Sequence, residues 1–145
     1  MRKGKRIGVV YPILPQHVDR MFDEEKDVFV KFSRFKNLTE GSIIVFHVSK
    51  KKMFAGEGVI KKIEQLQPNE AWTRYGNRIF LTNKEYDDYV SRSPLAKRKP
   101  RAIMVYVLYQ LRRYEKPVPS SRRMTVAGYY ITQKDYEDIV RQQQS

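Results

Sequence analysis

SIIVFHVSKKKMFAGEGVIKKI, residues 42–63, reads as two strands folded back on one another. Residues 42–48 are β-branched and aromatic with almost no charge, as a largely buried strand requires. The turn signal Glu40-Gly41 precedes them, and Lys50, Lys51 and Lys52 place a polar break before residues 53–63 resume. Gly56 and Gly58 sit inside the second strand, where glycine predicts a bend or a close backbone approach.

Working towards the N-terminus, IGVVYPI (7–13) is another short buried strand, bounded by Gly8 and Pro12. Pro15 suits the first turn of a helix, and Leu14, Val18, Met21 and Phe22 then share one helical face. DVFVKFSRFK (27–36) alternates as a strand, with Val28, Val30 and Phe32 on one side. Phe29, Lys31, Ser33 and Phe35 fall on the other. Towards the C-terminus, Thr82-x-x-Glu85 and Thr132-x-x-Asp135 are capping boxes, in which side chain and backbone satisfy each other's groups at a helix start. Their segments, LTNKEYDDYV and ITQKDYEDIV, match across fifty residues. With no third copy and divergent flanks, they read as one strand-to-helix junction used twice rather than as a duplication. AIMVYVLYQL (102–111) is apolar on both faces and predicts a central strand.

The charge is unevenly spread. Lys and Arg number 29 against 16 acids, a formal net charge of +13. Residues 91–123 carry ten basic side chains against the acid Glu115, a net +9. Two proline-bearing stretches, SPLAKRKP and EKPVPSSRR, predict exposed electropositive loops beside the sheet. Such a field draws polyanions, nucleic acid first. The pattern as a whole predicts an α+β fold: one domain over residues 1–145, residues 1–6 being a basic leader, with a mixed sheet in a partial barrel and helices at its sides.

Several chemistries are excluded or unsupported. The chain has no cysteine, which removes disulfides, thiolate metal sites and cysteine nucleophiles. His17 and His47 lie thirty residues apart without ligand spacing, so no metal and no cofactor is expected. His17 reads as a surface residue of the first helix, and His47 as a satisfied core or rim histidine. Neither G-x-S-x-G nor a glycine-rich phosphate loop occurs. The carboxylate pairs Asp87-Asp88 and Glu137-Asp138 read as solvated helix faces. MRKGKRIGVVYPIL imitates a signal peptide, but Pro15 ends its apolar run and no cleavage site follows. No segment reaches membrane-spanning length. A cytoplasmic protein is expected.

The order of elements resembles the PUA-like superfamily, its ASCH and EVE branches above all. The resemblance is carried by the first strand ending in Tyr11-Pro12, the helix after it, the strand with Lys26-x-x-x-x-Lys31, and LTEGSIIVFHVSKKKMFAGEGVIKKI (38–63). YGNRIFLTNKEYDDY and GYYITQKDYEDI are similar to a small archaeal family of uncharacterised PUA-like proteins. This likeness covers nearly the whole chain beyond residues 2–6. It implies a pseudo-barrel with a cleft beside the first helix for RNA or a modified base. The ASCH pattern G-x-K-x-x-E-x-R falls on Glu24, Lys26, Phe29 and Lys31. Phe29 stands where the pattern has its glutamate, which favours binding over hydrolysis.

The sequence therefore predicts a non-catalytic RNA-binding domain, with tRNA, rRNA or a modified nucleotide as partner and no membrane. Arg98, Lys99, Arg101, Arg112 and Arg113 are expected on phosphates. Tyr11, Lys26, Lys31, Ser33, Arg34 and His47 are expected around a base, with rings stacking and cations neutralising phosphate. The alternatives are an ASCH-like nucleoside amidohydrolase or ribonuclease, and a basic module that meets an acidic protein.

Overall fold

The computed structural model describes residues 5–32, 35, 37–48, 50–92, 102–120 and 128–143. Its strands are β1 (Arg6–Ile13), β2 (Val28–Lys31), β3 (Ile43–Val48), β4 (Met53–Leu66), β5 (Ile103–Pro119) and β6 (Tyr129–Thr132). Its α-helices are α1 (Pro15–Asp23), α2 (Pro68–Tyr75), α3 (Asn83–Arg92) and α4 (Gln133–Gln143), with a 3-10 turn over Gly76–Arg78. The hairpin at Lys50–Lys52 is present, closed by the Lys51 amide on the Val48 carbonyl. Arg6 belongs to β1 rather than to a leader and lies over the Tyr130 ring.

The six strands form one mixed sheet in the order β2-β5-β4-β3-β1-β6. β1 runs parallel to β3, and every other neighbouring pair is antiparallel. No hydrogen-bonded pair joins the edge strands β2 and β6 among the described residues, so the barrel is not closed. It is strongly curled all the same. Tyr11 of β1 and Phe29 of β2 lie with ring centroids 5.2 Å apart although three strands separate them in the sheet. The long strands β4 and β5 allow this bend through three register shifts. Two of them flank Gly56 and Gly58. A Cβ on Gly56 would stand 2.5 Å from the Phe22 ring, and one on Gly58 2.9 Å from Leu111, the close approach those glycines predict.

Burial on both sides of the sheet produces two cores. Ile44, Phe46 and Val48 of β3 face the larger one, which α1, α2 and α3 cover. Val45 faces the smaller one beneath Ile139 of α4. Both faces of β2 are buried, so Val28, Phe29 and Val30 are all core and neither side is solvated. β5 departs from expectation: the strand continues through Arg112 to Pro119, where a loop was predicted from its prolines. Tyr114 and Val118 are both buried in the second core, and their spacing keeps them on one face while β4 supplies the pairing.

Candidate functional site: a cleft between the curled sheet and two helices

A cleft of about 560 Å³ opens where the end of β1, the strand β2 and the helices α1 and α3 meet. Phe29, Val30, Phe80 and Leu81 supply apolar walls, and Leu14, 41% exposed, stands on its border. Phe29 stacks on Phe80 at 5.1 Å between centroids, which fixes both rings. The volume suits a small ligand, and the mainly apolar lining with few polar groups is the usual character of such sites.

Its polar groups fall into two sets. Glu85 of α3 accepts the Thr82 amide at 2.8 Å as the capping box requires, while the Glu85 amide donates to the Thr82 hydroxyl at 3.2 Å. The same carboxylate pairs with Arg20 and, at 3.2 Å, with His17, both from α1. Burial pushes its pKa up, but the Thr82 amide, Arg20 and His17 outweigh this and hold it at about 2. Burial pushes His17 below its ordinary value, and Glu85 opposes that shift. Asp88 and Arg92 of α3 and Gln16 of α1 complete this side.

The second set is Lys31 at the end of β2. Its ammonium lies 5.7 Å from the centroid of the Tyr11 ring. Among the described residues, which include every aspartate and glutamate of the chain, none forms an ion pair with it. Burial alone pulls its pKa down to about 8.

Of the described residues expected around a base, only Lys31 lines this cleft. Tyr11 is fully buried, packed against Phe29, Phe35 and Tyr106, so its ring is no stacking platform. Lys26 donates to the Asn77 carbonyl at 2.7 Å and ties the start of β2 to the turn after α2. His47 is buried against Phe54 of the second core and lies outside the cleft. The expectation of a satisfied histidine is corrected, since neither ring nitrogen has a hydrogen-bond partner among the described residues. Ser33 and Arg34 lie outside the described residues, as do Arg98, Lys99 and Arg101. Arg112 pairs with buried Glu57, and Arg113 with Asp19 and Asp23, so both are tied within the fold.

The sequence reading missed His17, Phe80, Glu85, Asp88, Tyr89 and Arg92. His17 is buried rather than on the surface. The signal was there: with Val18 and Met21 it continues the apolar stripe of α1, one turn before Met21. Asp88 turns towards the cleft although its neighbour Asp87 is exposed, so the helix face is not uniformly solvated. Tyr89 falls on the apolar stripe of α3 with Tyr86 and Val90, and its hydroxyl accepts the Phe32 amide at 2.9 Å. Phe80 reaches β2 by donating its amide to the Val28 carbonyl at 3.3 Å, a meeting across fifty-two residues that no local pattern signals.

A family model described as Domain of unknown function (DUF365) matches residues 6–133. An uncharacterised protein of Methanocaldococcus jannaschii is 31% identical over 104 residues, which cover 68% of this chain and 96% of that one. The crystal structure of ASCH from Zymomonas mobilis superposes with a TM-score of 0.76 at 16% identity, covering 94% of this chain and 96% of that one. The N-terminal domain of Staphylothermus marinus McrB gives 0.64 at 16% identity over 97% and 98% of the two chains. The α+β fold is thus the PUA-like one of ASCH domains, as the order of elements implies. Among the described residues no helix is long and apolar enough to cross a membrane.

Proposed function

The chain belongs to the DUF365 family, and for this member we propose a nucleic-acid-binding domain that receives one unpaired RNA base in the cleft between β2, α1 and α3. The observation that carries this reading is the pairing of an apolar, partly aromatic cleft with a half-buried cation, Lys31, that forms no ion pair among the described residues, in a chain of net charge +13. Phosphates supply most of the affinity and its salt dependence, while the apolar walls of the cleft shield the inserted base from water. Arg92 on the cleft, and the basic side chains of residues 93–101 beyond it in sequence, would meet the flanking strand.

Titration of labelled single-stranded RNA, tRNA, rRNA fragments and single-stranded DNA tests this. Log affinity should fall with log salt at about −0.7 per phosphate contact. Leu14→Glu places a negative charge at the border of the cleft on an already exposed side chain, and should weaken RNA at least ten-fold without unfolding the protein. Binding that is absent, insensitive to salt or unchanged in Leu14→Glu refutes the reading.

A second reading is hydrolysis of a bound nucleoside or RNA strand. It draws on His17, which lines the cleft, is pushed below its ordinary pKa by burial and is oriented by Glu85. Turnover of RNA or modified nucleosides that His17→Gln abolishes while affinity persists would establish it.

A further inference from the structure

Buried charges in proteins are normally paired, because an ammonium taken from water loses hydration that only an opposite charge restores. The described arginines follow this rule: Arg20, Arg74, Arg78, Arg112, Arg113 and Arg141 each meet a carboxylate, and the two that do not, Arg6 and Arg92, are exposed and keep their hydration. Lys31 departs from it. It is half-buried at the end of β2, has the face of Tyr11 beside it and no ion pair among the described residues, and borders a cleft large enough for a ligand. The carboxylates of that cleft do not compensate it: Glu85 is engaged by Arg20 and His17, and Asp88 forms no ion pair with Lys31.

Among the described residues the fold thus leaves a half-buried cation without a counter-charge at a place that a ligand can reach. We infer that Lys31 is an anion subsite: the ligand brings its own negative group, a phosphate, to the Lys31 ammonium while its ring occupies the apolar part of the cleft. The ligand class is then a phosphate-bearing nucleotide rather than a neutral nucleoside. The phosphate has two sources, the diester beside the inserted base of a strand or the monoester of a free nucleotide. Part of this inference rests on the RNA reading above, since only that reading supplies the diester.

The inference also fixes a proton balance. The free site holds the Lys31 ammonium at about 8, and a bound phosphate raises it by charge attraction, so binding above that pH takes up a proton. Affinity should therefore fall about ten-fold from pH 7 to pH 9.

Calorimetric titration of wild type with four nucleosides, their 5′-monophosphates, inorganic phosphate and a short RNA oligonucleotide tests the assignment. Nucleotides should bind at least ten-fold more tightly than the matching nucleosides. Lys31→Met should erase that ratio and the pH dependence, whereas Lys31→Arg should keep most of the ratio and lose the fall between pH 7 and 9. Lys31→Met should also be at least as resistant to urea as wild type, since it deletes an unpaired charge, so its loss of binding is not a loss of fold. Equal affinity for nucleosides and nucleotides overturns the inference, and it leaves the RNA reading standing if the oligonucleotide still binds. A nucleotide preference abolished by Lys31→Met, without any binding of the oligonucleotide, sustains the subsite, names the free monoester as its source and refutes the RNA reading. A nucleotide preference unaltered in Lys31→Met overturns the assignment to Lys31.

Discussion

Glu85→Gln separates what a helix cap does from what a buried charge does. Glutamine keeps the cap, because its carbonyl still accepts the Thr82 amide, but it carries no charge for Arg20 and His17. The folded protein holds Glu85 at about 2 against an ordinary 4.5, and each pKa unit corresponds to 1.36 kcal/mol. The ceiling is thus about 3 kcal/mol. With 30% of the side chain exposed, solvent screens part of this, so about 1–2 kcal/mol is expected. The sign follows from the depressed pKa. Below 4.5 the unfolded chain takes up a proton that the folded one refuses until about pH 2. The contribution is complete above 4.5 and disappears as pH falls through that window. His17 loses its partner in the variant, so the gap does not shrink before Glu85 itself begins to protonate. Urea unfolding of wild type and Glu85→Gln, at unit steps from pH 7 to pH 3, should show a gap of about 1–2 kcal/mol that narrows only below pH 4.5. A gap unchanged across the series, or none at pH 7, refutes the argument.

Two further perturbations probe the second core. Glu57 is buried and accepts hydrogen bonds from Tyr114 at 2.9 Å, Tyr136 at 2.7 Å and Arg112 at 2.9 Å. Glu57→Leu strands the Tyr114 and Tyr136 hydroxyls and should cost about 2–4 kcal/mol in urea unfolding, while Arg112 rehydrates. Adding Tyr114→Phe and Tyr136→Phe should recover most of it, and a triple variant as weak as the single one counts against this account. His47 lies buried with no partner among the described residues, and burial lowers its pKa. Only the unfolded chain gains a proton near 6.5, so stability falls as pH drops below that value. His47→Leu should gain about 1–3 kcal/mol at pH 7 and flatten the loss between pH 7 and 5. A steeper loss in the variant contradicts it.

Much of the fold was legible from short-range chemistry. The hairpin through Lys50–Lys52, the strands around Val9, Ile44 and Val105, and the capped starts of α3 and α4 all announce themselves within a few residues. α2 does not. Its Gln67 N-cap makes no side-chain hydrogen bond, and its stripe is only Ala71 and Tyr75. The continuation of β5 past Arg112 was hidden by prolines, because pairing with β4 outweighed the local turn signal there.

The sequence by itself determined most of the secondary elements, the surplus of positive charge and, through its order of elements, the likeness to PUA-like domains. These depend on periodicity, caps and composition, which act over a few residues or over the chain as a whole. Only the tertiary structure decided which charges are spent and which are free. Arg112 and Arg113 find Glu57, Asp19 and Asp23 across 55 to 94 residues, and His17 meets Glu85 across 68. No local pattern encodes such meetings, since they follow from strand order and from the curl that brings β1 against β2. The same curl buries Tyr11 and leaves Lys31 at the cleft with no carboxylate paired to it among the described residues, so one residue of the strand that looked basic and aromatic keeps a charge to offer.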